Sequence, residues 1–96
     1  MDMLAPAIWE EVKPNSRGLP VGVCMVAWYR CNLVDIPDLV GFARLYRNKQ
    51  TEATHWAVGV QKKVKGECVS QSYPGDISDL SEMQAKAEKL LRGRPI

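Results

Sequence analysis

Few side chains in this 96-residue chain could do chemistry: one histidine, His55; three cysteines, Cys24, Cys31 and Cys68; and two close carboxylate pairs, Glu10 with Glu11 and Asp76 with Asp79. A hydrolase or transferase needs a nucleophile beside a base, and His55 is the obvious base. It stands in THWAV, where alternation sets it opposite Trp56 on the more polar side of a strand, with no partner motif around it. Cys24 and Cys31 lie within or beside an apolar run, where thiols behave as small inert hydrophobes. The first carboxylate pair reads as a solvated face and the second as helix capping. Gly18, Gly22 and Gly41 are isolated, so no phosphate-binding loop is present. The expectation is a protein with no catalytic residues and no cofactor, that is, not an enzyme.

Three scattered cysteines without a CxxC pair suggest neither a disulfide framework nor a zinc knuckle, since zinc wants four closely spaced Cys or His ligands. Reduced thiols and no metal are expected. The first residues, MDMLAPAIWEE, lack a basic stretch followed by a long apolar core, and no apolar run approaches the roughly 18 residues of a membrane helix. A cytoplasmic protein without a membrane partner is the expectation.

Charge carries more information than reactivity. The net charge is only +2, but from Arg30 to Lys65 seven bases (Arg30, Arg44, Arg47, Lys49, Lys62, Lys63, Lys65) face three acids (Asp35, Asp38, Glu52). The middle of the chain is basic and its ends are not. In THWAVGVQKKVKGECV the lysines gather where a hairpin should turn, because Gly66 accepts the positive φ of a tight connection. Arg44, Tyr46, Arg47, Lys62, Lys63 and Lys65 are therefore the candidate binding residues. On one strand face Arg44 and Tyr46 would lie together, and Tyr29, Tyr46 and His55 would offer stacking surfaces to unpaired bases. Lysines at a hairpin tip also serve simply to keep a sheet edge soluble.

The elements that must position these groups follow from periodicity. With 46% hydrophobic and 25% charged residues, the chain has the composition of one folded domain spanning 1–96. PAIWEEVK predicts a short N-terminal helix, with Pro6 in its first turn and Ile8, Trp9 and Val12 on one side. The turn formers from Pro14 to Pro20 make a loop. A strand over about 21–34 is apolar on both faces, Val21, Val23, Met25, Ala27 and Tyr29 against Cys24, Val26, Trp28 and Arg30, and so should be covered on both sides. Residues 36–50 read as a helix started by Pro37 or as a strand over about 41–48 after a turn at Pro37 and Asp38; Gly41, costly in a helix by about 1 kcal/mol, tips the reading to the strand. Strands over about 54–63 and 67–73 follow. A C-terminal helix over about 79–92 buries Leu80, Met83, Ala87, Leu90 and Leu91, with Asp79 and Glu82 spaced as a capping box and Glu82 with Lys86 and Glu88 with Arg92 at i, i+4 on its outside. The predicted fold is α+β: an antiparallel sheet of three or four strands covered by one helix.

Two functions fit such a molecule best, with a small enzyme using His55 as its base as a further alternative. One is a small protein-binding module, because its tryptophans, tyrosines, methionines and arginines are the residues from which interfaces are built. Accessory proteins of phages and mobile elements that inhibit a host factor by occupying its surface have this plain make-up. The other is a nucleic-acid-binding domain using the basic central strands, although a pI near 8.5 is low for one. A protein partner is the preferred expectation.

Overall fold

The computed structural model of the chain describes residues 7–64 and 66–93. Five strands, β1 (Ile8–Val12), β2 (Val23–Leu33), β3 (Ile36–Asn48), β4 (Thr54–Lys62) and β5 (Cys68–Pro74), form one antiparallel meander in sequence order. A 3₁₀ turn (Ile77–Asp79) leads into α1 (Leu80–Gly93), which crosses one face of the sheet over β3 and β4.

Two expectations are overturned here: there are five strands rather than three or four, and the N-terminal segment is β1, not a helix. Ile8, Trp9 and Val12 fit one side of a helix, but in a segment this short tertiary pairing outweighs local propensity. β1 pairs along its whole length with β2, from Ile8 opposite Asn32 to Val12 opposite Trp28. Trp9 turns toward α1, where its indole N–H donates to Glu88 Oε1 at 2.7 Å, while Ile8 and Glu10 alternate to the other side. Pro6 lies outside the described residues.

The segment read as helix or strand is a strand, and a longer one than expected, because the turn falls at Val34 and Asp35 and β3 starts at Ile36, before Pro37. β2 departs from simple alternation. Met25 pairs with Tyr46 but Ala27 pairs with Leu45, so Val26 is an extra residue, a β-bulge that flips the phase of everything before it. Ala27, Tyr29 and Cys31 therefore face α1, whereas Met25 and Val23 join Trp28 and Arg30 on the opposite face. Nor is β2 covered on both sides: among the described residues neither a helix nor a second sheet lies on the face opposite α1.

Beneath α1, Ala27, Ala43, Leu45, Trp56 and Val58 meet Met83 and Ala87, and Cys31, Leu33, Leu39 and Val60 meet Leu91. The predicted helix stripe is thus the buried one, with Leu80 and Leu90 packed at its margins. Small residues let the helix approach: a Cβ at Gly41 would lie 3.5 Å from Leu91 Cδ2 and 3.7 Å from the Ala87 carbonyl oxygen. The capping box sits three residues earlier than its predicted place. Asp76 accepts from the Ser78 N–H at 2.9 Å, and Asp79 accepts from the Asp76 N–H at 3.0 Å, so the 3₁₀ turn carries the cap. The Ser78 hydrogen bonds hold the Asp76 carboxyl below its usual range. Trp56, wholly buried, locks this corner by donating its indole N–H to the Asp76 carbonyl at 2.9 Å.

Candidate binding face of the sheet

The helix-free face is built by the alternate residues of β2, β3 and β4 that α1 does not claim. At its centre lies Arg44, cross-strand from Trp28 on one side and Ala57 on the other. Its guanidinium carbon sits 4.2 Å from the centroid of Phe42, two residues back on the same face, and 5.1 Å from that of Trp28. Cation–π contacts of this kind hold a planar cation against aromatic rings while leaving its outer N–H groups to bond elsewhere. Arg44 Nη2 reaches Gln61 Oε1 at 3.5 Å. Phe42 is almost fully buried beneath this arrangement, although no helix covers it. Its cross-strand neighbour is Gly59, which has no side chain to compete for the space.

Next along β3, Tyr46 stacks on His55, with ring centroids 5.4 Å apart and planes inclined by 22°. They are direct cross-strand partners on β3 and β4, and the bulge at Val26 brings Met25 to the other flank of Tyr46. Toward the opposite end, Glu10 pairs with Arg30. Glu10, Arg30, Asn32, Val40 and Lys63 line a shallow polar depression there. The face thus runs from an aromatic end, through a stacked arginine, to a mixed-charge end. The side-chain nitrogens Arg44 Nε and Trp28 Nε1 are buried within it and have no hydrogen-bond acceptor among the described residues. Donors left so are costly, by about 1–3 kcal/mol each, unless water, a rearrangement or a partner supplies an acceptor.

Of the predicted binding residues that the structure describes, Arg44 and Tyr46 share the aromatic part of the open face. Arg47 is exposed but alternates to the other side, opposite Thr54 and Cys24. Lys62 is seven strand positions from His55, about 23 Å along β4, and its ammonium is 3.3 Å from Glu67. Lys63 is exposed on the open side, its N–H held by the Asp38 carbonyl at 3.0 Å, far from the aromatic end. Lys65 lies outside the described residues. Among the described residues the predicted basic cluster is divided between the two faces and the two ends of the sheet. Tyr29, grouped with Tyr46 and His55 as a stacking surface, packs on the helix side instead.

Sequence reasoning missed Trp28, Phe42, Met25 and Gln61 as members of this face. Alternation in GFARLYR sets Phe42 with Arg44 and Tyr46, as it sets Trp28 with Arg30; what hides their role is the expectation that both faces of β2 are covered. Met25 could not have been found, because the bulge leaves no mark in VGVCMVAWYR.

Elsewhere reactive groups stand apart. Cys31 is fully buried, and burial first, then Glu88, pushes its thiol up to about 11 against the opposing pull of Arg92. Among the described residues no three His, Cys, Asp or Glu side chains converge as metal ligands, and no helix is long and apolar enough to cross a membrane. No family model, curated protein or solved structure matches this chain.

Proposed function

We propose that this protein is a small non-enzymatic binding module that engages a protein partner through the helix-free face of its sheet. The observation that supports this reading is the Arg44 guanidinium lying over the buried Phe42 and against Trp28 on the face opposite α1, beside the Tyr46 and His55 stack. Tryptophan, tyrosine and arginine are the residues that dominate binding energy at protein interfaces, and here they sit on paired strands of one sheet. The rim is of the kind that gives such a patch specificity: the Glu10 and Arg30 pair and Lys63 at one end. The fitting mode of action for such a face is occlusion, as in accessory proteins of phages and mobile elements that inhibit a host factor by covering part of its surface.

A nucleic-acid reading draws on the Tyr46 and His55 stack alone. It is the weaker one because phosphate binding wants a continuous basic track, whereas Lys62 and Arg30 are each paired with an acid and Arg47 points to the other side. Affinity capture with the wild type, Arg44→Ala and the double variant Tyr46→Ala/His55→Ala separates the two, with circular dichroism confirming that each variant folds. Proteins captured by the wild type and lost at least about tenfold by both variants are the expected result. Equal capture by all three chains contradicts the proposal. So does binding to generic RNA or DNA that fades steeply as salt rises.

A further inference from the structure

The two edges of the sheet are not alike. β1 is short and carries Glu10 and Glu11, charges of the sort that discourage edge-to-edge pairing. β5, CVSQSYP, has no charged residue in seven positions, contains no bulge, and is exposed at every residue except the half-buried Tyr73. Its only protective residue, Pro74, stands at its very end.

The ladder shows which backbone groups β5 leaves free. Lys62 N–H donates to the Glu67 carbonyl at 2.7 Å, and Gly75 N–H donates to the Thr54 carbonyl at 3.4 Å, so residues 67, 69, 71, 73 and 75 turn their amides toward β4. Cys68, Ser70, Ser72 and Pro74 turn theirs outward. Pro74 has no N–H to offer, and at an outward position it costs the ladder nothing.

We propose that β5 is a homodimerisation edge: two copies pair antiparallel about a two-fold axis at Gln71, joining their sheets into one. In that register Ser70 meets Ser72 of the second copy and both pairs of outward amides bond reciprocally. Cys68 N–H meets the Pro74 carbonyl of the second copy, so pairing stops where the proline removes a donor. Side chains match as well. Val69 falls opposite Tyr73 of the second copy on the helix side, serine opposite serine on the open side, and Gln71 opposite its own counterpart. Moving the axis to Ser70 would instead set Tyr73 opposite Glu67. An isologous interface requires a surface complementary to itself, and an uncharged strand palindromic in chemistry supplies one. A second copy is therefore the fitting occupant, in preference to a strand from another protein. The helix-free faces of both copies then lie on the same side of the joined sheet.

The test is light scattering over a range of concentrations, combined with cross-linking. Ser70→Pro removes an outward N–H and leaves the β4 ladder intact. The expected result is a wild-type dimer and a Ser70→Pro monomer with an unchanged circular dichroism spectrum. In a Cys68→Ser background, Gln71→Cys sits at a non-hydrogen-bonded pair with Cα atoms about 4.5 Å apart and should oxidise readily to a covalent dimer. Val69→Cys, whose two copies would be about 13 Å apart along the strands, should not. A wild type that stays monomeric at its highest soluble concentration overturns the proposal, as does cross-linking through Val69→Cys as fast as through Gln71→Cys. These readouts do not depend on what the open face binds.

Discussion

Gly59 shows how one residue can decide both packing and surface chemistry. It pairs with Phe42 and with Ser70, and a Cβ added there would collide with the Val69 carbonyl oxygen and lie 2.8 Å from Ser70 Cα. Because the obstacles are backbone rather than the end of a flexible side chain, β5 would have to shift. Gly59→Ala is expected to destabilise the fold by about 1–3 kcal/mol, read as a lower denaturant midpoint; an unchanged midpoint would refute the close approach. Cys31 gives a second expectation. Its thiol is raised to about 11 from an ordinary value near 9, so the folded state holds the proton more tightly than the unfolded one. That contribution is complete below about pH 9 and is lost as pH rises toward 11, so alkaline stability should fall, and fall less in Cys31→Ala once its own baseline is subtracted. At pH 8 a thiol reagent should label the exposed Cys68 quickly and leave Cys31 untouched until the protein unfolds.

At the scale of elements, the link that a sequence pattern could not show is the one between the chain's two ends. β1 is a short edge strand, and the Trp9 to Glu88 hydrogen bond ties it to α1 across 79 residues. Trp9→Phe keeps most of the apolar contact but loses that bond to a carboxylate, and should cost about 1–3 kcal/mol in chemical denaturation; a loss no larger than that of a surface substitution would show that β1 is held by its ladder alone. Glu88 was read from its spacing as a helix-surface partner of Arg92. The Trp9 bond connects elements that are neighbours only once the sheet exists. The extent and buried stripe of the C-terminal helix, by contrast, are legible, because Met83, Ala87 and Leu91 repeat at helical spacing and the stripe needs no other information, although its cap lies three residues earlier than the spacing suggests. β4 was legible for the same reason at period two. β1 was not, since two successive glutamates between Trp9 and Val12 satisfy either period. The face containing Arg44 and Tyr46 could be read off GFARLYR, but the lysines expected beside it could not be dispersed without knowing the register.

At the largest scale, the governing fact is that the described residues hold one α-helix. One helix covers one side of a five-stranded sheet, and the other side must be tolerable to water or useful to a partner. Its surface is partly self-sealed: Phe42 is buried under the Arg44 guanidinium, and the tyrosine and histidine rings shield each other. What is left is a patch of aromatics with an arginine at its centre, beside a mixed-charge rim. If two copies join through β5, two such patches share one broad sheet surface, and a partner with repeated features would be held by both.

The most direct measurement of this account places a photo-crosslinking phenylalanine analogue at position 46, on the open face, and in a parallel chain at position 85, on the exposed outer side of α1. Irradiation in cells should produce a discrete covalent adduct with a protein partner from position 46 and none from position 85. Adducts from position 85 alone, or from neither position, would contradict the claim that the helix-free face is where this protein works.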